Sequence, residues 1–159
     1  MRLGHKQKRL SSDPYTSFLF CLQFYPEKRK LIYCSRTVPE IEKALAELKR
    51  LVEYRKSCGL QESILGLGLT SRRNLCLHPS VSKEKKGKVV DARCRNLTAS
   101  WVREAAAAGQ DIETCSFYEE LESLDLRETV PDAVYTLDDI KDLGRTKKIC
   151  PYYMARRMV

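Results

Sequence analysis

The chain has 159 residues, 43% of them hydrophobic and 31% charged, with a net charge of +8. That composition fits a soluble globular protein of one core, which buries about 70% of its extended surface, and it excludes global disorder, a collagen-like chain and a coiled-coil rod. The longest strongly apolar run, Phe18 to Leu22, is far short of the roughly 20 residues that span a bilayer. No small-residue cleavage site follows the basic start, so the chain is read as intracellular with no membrane partner.

The charge is uneven. Residues 1–30 carry +5, 31–71 carry +1, 72–103 carry +7, 104–142 carry −10 and 143–159 carry +5. Basic segments flanking an acidic one draw nucleic acid to a surface. A solvated surface of mixed charge gives the same pattern.

In chain order, residues 1–15 lack a hydrophobic period and read as a disordered basic arm, in which Lys6 to Arg9 has the composition of a nuclear address. Asp13 and Pro14 start a short apolar helix to Phe24. Leu31 to Cys34 reads as a buried strand. Thr37 and Glu40 have capping-box spacing with Pro39 in the first turn, and Ile41, Leu45, Leu48 and Val52 form one apolar face of a helix that runs to about Ser57, where Gly59 is the cap candidate. Ile64 to Leu69 reads as a second strand whose glycines allow close backbone approach. Strand, long helix and strand make a βαβ unit of a parallel sheet, so the fold class is α/β.

Residues 71–95 read as basic and strand-poor, with Pro79 and Gly87 as breakers. Asn96 to Ala108 is a helix stopped by Gly109. Residues 110–135 read as an acidic loop. Thr136 to Asp139 signals a capping box for a short helix ended by Gly144, and Cys150 with Pro151 opens a last helical stretch.

The seven cysteines are an odd number without a secretory context, which argues against a disulfide framework. Cys21, Cys34 and Cys58 lie in or at the ends of apolar elements and read as packing residues. Cys76, Cys94, Cys115 and Cys150 sit in irregular or junctional positions, with spacings of 18, 21 and 35. None forms the close pair that zinc sites use, so spacing alone leaves a metal site and four unrelated thiols both open. His78 reads as a polar loop residue, with ligation as the alternative.

Five blocks then carry a resemblance: Leu31 to Lys43 (LIYCSRTVPEIEK), Ser71 to Pro79 (SRRNLCLHP), Val90 to Cys94 (VDARC), Leu97 to Ala99 (LTA) and Cys150 to Arg156 (CPYYMAR). In this order they resemble the iron–sulfur superfamily 2 DNA helicases of the xeroderma pigmentosum group D type. The eukaryotic members are subunits of the transcription and repair factor TFIIH. The resemblance covers residues 24–159 and implies a partial RecA-like motor domain 1 over 16–70, with an inserted, mainly helical four-iron, four-sulfur (4Fe-4S) domain over 71–157. It puts Cys76, Cys94, Cys115 and Cys150 on the four cluster ligands, and thiolates are the soft ligands such iron takes. The neighbouring cations Arg72, Arg73, Arg93 and Arg95 are expected to favour the thiolate forms, and folding is expected to be coupled to metal.

Arg36 and Thr37 match the family's motif Ia, which meets the DNA backbone, and a helix N-terminus there suits phosphate. Plain capping by Thr37 is the alternative. Tyr152 and Arg156 match positions beside the family's single-strand path, where stacking and phosphate pairing operate, and Arg72 is a further DNA-contact candidate. The bland alternative is a core tyrosine and a surface arginine. The implied partners are single-stranded DNA and TFIIH subunits, in the nucleus, where the family serves nucleotide excision repair and transcription. The sequence has no G-x-x-x-x-G-K-[ST] and no DEAH box. ATP and Mg2+ are therefore expected only in the full-length family protein. The chain is read as a truncated product or partial gene model, inactive alone as a 5′–3′ helicase. The alternative function is a zinc-bound four-cysteine module that binds nucleic acid without catalysis.

Overall fold

The computed structural model describes residues 30–60 and 62–158. The expected arm, the helix ending at Phe24 and Cys21 lie outside them. The chain divides into two compact units, 1–34 and 35–159. In the first, Leu31 to Cys34 is not a strand, and Leu31 is 92% exposed. An apolar run becomes a strand only when a ladder satisfies its N–H and C=O groups, and no strand pairs with this one among the described residues.

The second unit opens with α1 (Val38–Ser57), whose apolar face buries Leu45. Cys58 caps it and Gly59 follows at φ 82°. The expected side-chain cap does not form: Thr37 is the N-cap residue without a side-chain bond, and Ser35 donates to Glu40 instead. Cys34 and Cys58 are exposed, which corrects their reading as packing residues.

β1 (Gly66–Leu67) pairs in parallel with β2 (Val134–Tyr135), with Gly66 opposite Val134. A parallel pair is therefore present, but its partner comes from the segment expected to be an acidic loop. α1 lies on both strands. The close approach needs glycine: a Cβ on Gly68 would come within 2.6 Å of Leu137 Cδ2 and 2.8 Å of Leu45 Cδ1.

Between the strands come α2 (Arg72–Leu75), α3 (Gly87–Leu97), α4 (Ser100–Ala107), α5 (Ser116–Ser123) and α6 (Leu126–Thr129). The unit is thus mostly helical. Residues 87–95, where Gly87 is expected as a breaker, form most of α3, because Val90 and Leu97 fall seven residues apart on one buried face. Gly87 opens this helix rather than breaking it. The expected helix over 96–108 is split, since Thr98 caps α3 and Ala99 is the N-cap of α4.

α7 (Leu137–Lys147) has the expected capping box: Asp139 N–H donates to Thr136 Oγ1 at 3.2 Å, and Thr136 N–H donates to Asp139 Oδ2 at 3.0 Å. Gly144 lies inside this helix rather than ending it. The stop is at Lys148, in the left-handed region at φ 56°. α8 (Pro151–Met158) completes the unit. No helix among the described residues is long and apolar enough to cross a membrane.

Two hydrophobic clusters form the interior. One joins Leu75, Leu121, Leu137, Ile140, Ile149 and Met154, and the other joins Val81, Val90, Leu97 and Cys115. Phe117 packs on both.

Asp139 also accepts from Lys49 on α1 at 2.9 Å, which ties the last helices to the first. Burial pushes its carboxyl pKa up, but the Lys49 and Thr136 hydrogen bonds outweigh that and hold it below the usual value. A depressed folded pKa contributes stability above the unfolded value, about 3.9, and that contribution is lost as pH falls through the folded value. Asp139→Asn is expected to cost about 1 kcal/mol or less at pH 7, since the pair is half-exposed. The deficit should shrink in urea melts as pH falls from 7 through the depressed folded value of Asp139.

Candidate metal centre

The four scattered cysteines reach one place by four local routes. Cys76 caps the C-terminus of α2, its N–H donating to the Arg72 carbonyl at 2.8 Å. Cys94 lies within α3. Cys115 is the N-cap of α5 and is fixed by its N–H to the Leu97 carbonyl at 3.3 Å. Cys150 precedes α8, its N–H donating to the Phe117 carbonyl at 2.8 Å. All four line a single cavity of about 20 Å³, at the junction of the two hydrophobic clusters. Spacing leaves shared and unrelated thiols both open, and the fold brings them together.

Burial dominates their acid–base chemistry. It pushes Cys115 up to about 11 and Cys150 up to about 12, and it raises Cys76 and Cys94 as well. Backbone N–H groups near the sulfurs pull the other way, that of His78 at Cys76, those of Tyr118 and Phe117 at Cys115, and those of Tyr153 and Tyr152 at Cys150. The expectation that nearby cations favour thiolates is corrected in part. Only Arg72 acts on a cavity thiol, that of Cys94, and burial outweighs it. Arg73 and Arg95 are exposed, and Arg93 pairs with Glu84 at 2.9 Å.

Among the described residues, no group of three or more His, Cys, Asp or Glu side chains is arranged to hold a metal ion. The sulfurs thus share a cavity without closing on one ion's position. The donor chemistry still fits a thiophilic group: four thiols, apolar walls and backbone N–H groups near the sulfurs. Each thiol must lose its proton to ligate.

Three other polar residues line the cavity, of which the sequence points only to His78. His78 is 7% exposed rather than a free loop side chain, with Nδ1 3.2 Å from Ser80 Oγ and Nε2 3.7 Å from Glu113. Thr98 and Tyr153 also line the cavity. Their signal is helical spacing, four residues after Cys94 and three after Cys150, which puts each on its cysteine's face.

The DNA-contact candidates divide. Tyr152 is half-buried on α8 under the Arg72 guanidinium, 4.4 Å from its ring centroid. Arg72 is committed further, to the Tyr153 hydroxyl at 3.4 Å and Asp91 at 3.5 Å. Burial pulls its pKa down, but Tyr153 leads the groups that hold it above the usual value. Arg156 is exposed. Arg36 and Thr37 are exposed at the start of α1 and do not line the cavity. Glu40 turns back onto Ser35 and Thr37, whose hydrogen bonds hold its carboxyl below the usual range, so a carboxylate shares the expected phosphate position.

Comparison with known proteins gives the family. The DEAD_2 family profile matches residues 33–159. Over 138 residues the chain is 60% identical to the general transcription and DNA repair factor IIH helicase subunit XPD of Schizosaccharomyces pombe, covering 86% of this chain and 18% of that protein. It is 48% identical over 132 residues to the XPD subunit of Dictyostelium discoideum, covering 82% and 16%. It is 28% identical over 137 residues to regulator of telomere elongation helicase 1 of Mus musculus, covering 86% and 10%. The chain therefore spans less than a fifth of the length of these relatives. Because the matched region takes in the long helix, both strands and all four cavity cysteines, the chain belongs to the DEAD_2 family, as a homologue of the XPD helicase subunit.

Proposed function

We propose that Cys76, Cys94, Cys115 and Cys150 ligate a 4Fe-4S cluster, and that this chain corresponds to the cluster-bearing part of an ATP-dependent 5′–3′ DNA helicase of TFIIH, acting in the nucleus. In this reading residues 16–70 are part of a RecA-like motor domain 1 and residues 71–157 are the cluster domain. The observation that carries it is the meeting of four thiols from four segments at one cavity. A single zinc needs its sulfurs about 2.3 Å from one point, whereas in a cluster each thiolate takes its own iron. When bound, the cluster supplies metal–sulfur bonds that cross-link α2, α3, α5 and α8.

The chain's own residues supply the rest. Tyr152 offers a ring for a base and Arg156 an exposed cation for a phosphate. Arg72 acts through Tyr152, whose ring it braces. Arg36 and Thr37 offer a second backbone contact at the start of α1. ATP and Mg2+ chemistry belongs to the full-length protein.

Anaerobic reconstitution tests this reading. About four iron and four acid-labile sulfide per chain are expected, with a brown colour from thiolate-to-iron charge transfer. The loaded protein should bind single-stranded DNA with log affinity falling by about 0.7 per phosphate contacted for each log unit of salt. A colourless, folded protein carrying one zinc would instead support the four-cysteine module.

A further inference from the structure

Two of the four cavity cysteines are anchored across the fold by their own backbone. Cys115 N–H reaches the Leu97 carbonyl, and Cys150 N–H reaches the Phe117 carbonyl. The other two are not. Cys76 N–H stays within its own helix, on the Arg72 carbonyl, and Cys94 lies inside the ladder of α3. Side chains join these two segments instead. Before Cys76, Arg72 stands 3.5 Å from Asp91 of α3. After Cys76, the turn over residues 78–84 meets Arg93, the neighbour of Cys94 in α3.

This second tie is a polar chain. Arg93 Nη1 donates to Glu84 Oε1 at 2.9 Å, and Nη2 donates to Ser80 Oγ at 3.1 Å. A guanidinium only donates, so Ser80 Oγ accepts there and has its own proton left for His78 Nδ1, 3.2 Å away. His78 is buried and lines the cavity. Its Nε2 stands 3.7 Å from Glu113 Oε1, on the segment that leads into Cys115. Ser82 N–H closes the turn on the His78 carbonyl at 2.9 Å, and Val81 packs in one cluster with Val90 of α3.

We infer that Arg93, Ser80 and His78 form a metal-independent clamp that positions Cys76 against Cys94. That the positioned thiols await iron rests on the cluster reading. Segments ordered beforehand pay less for ordering when a ligand binds, so the clamped pair takes up metal faster than an unclamped one.

The test uses the full metal-free chain, reduced and kept anaerobic, with a thiol-alkylating reagent and peptide mass spectrometry to follow each cysteine. Ser80→Ala breaks the chain at its middle, and Ser80→Thr restores the hydroxyl. Ser80→Ala is expected to label about fivefold faster at Cys76 and Cys94, the loss of one net hydrogen bond against local opening, and at the wild-type rate at Cys150. Its iron uptake on reconstitution should slow by about the same factor, and Ser80→Thr should recover both rates. Unchanged labelling at Cys76 and Cys94, or faster labelling with unchanged iron uptake, would overturn the inference and leave the cluster reading standing. Equal acceleration at all four cysteines, Cys150 included, would overturn it in favour of a general packing role. A wild-type chain that takes up no iron would overturn both.

Discussion

Cys115→Ser is expected to lose its iron, and the residues around it their protease resistance, while Cys58→Ser changes neither. Cys115 is 7% exposed and belongs to the cluster of Val81, Val90 and Leu97, and its N–H reaches back to the Leu97 carbonyl. Serine is close in size but a poor ligand for iron, which prefers thiolate. Its hydroxyl must also be buried beside apolar walls, at a cost of about 1–3 kcal/mol if unbonded. Two losses therefore coincide in the loaded protein, and only the second is felt without metal. Cys58 is exposed at the end of α1, away from the cavity lining, and serves as the control. Iron-to-protein ratios and limited proteolysis of both variants measure the difference. Full iron in Cys115→Ser would remove Cys115 from the ligand set.

Gly144→Ala is expected to destabilise the protein by about 1–3 kcal/mol, against the usual benefit of alanine in a helix. Helix propensity alone favours alanine by about 1 kcal/mol. Here a Cβ would fall 2.5 Å from Pro151 Cγ and 2.9 Å from the Ile149 carbonyl oxygen. Neither neighbour yields easily, one being a ring and the other backbone, and overpacking of this kind typically costs about 1–3 kcal/mol. Pro151 follows Cys150, and Leu77, 3.1 Å from the same Cβ, follows Cys76. The displacement therefore reaches two cavity thiols, and iron uptake should fall with the urea midpoint. A Gly144→Ala variant as stable as the wild type would show that α7 and α8 separate freely.

The elements the sequence discloses are those whose causes are local. α1 is legible from Pro39 and a sustained apolar face, and the Thr136 box forms as its spacing implies. The same spacing gives no side-chain cap at Thr37, although the Glu40 carboxylate does turn back onto Ser35 and Thr37. α3 and α5 are hidden by charge: each keeps its buried positions, Val90 and Leu97 or Leu121, among lysines or glutamates that mask the period. A local rule makes Gly144 a helix stop, whereas a distant contact with Pro151 explains it. The β1–β2 ladder joins residues far apart in the chain, which no window of sequence reveals. For the cysteines, resemblance names the set, but the shared cavity is a product of tertiary packing. Arg73 and Arg95 show the converse, since nearness in sequence to a cysteine leaves both facing solvent.

The order of the cysteines along the chain has a consequence for biosynthesis. Cys76, Cys94 and Cys115 are made first, and Cys150 follows thirty-five residues after Cys115. At about 5–20 residues per second that interval lasts about 2–7 s on the ribosome. β1 waits longer still for β2, which is synthesised only shortly before Cys150. A nascent chain arrested within this interval displays three thiols and an unfinished apolar wall, open to oxidation or to adventitious ions until translation supplies α8.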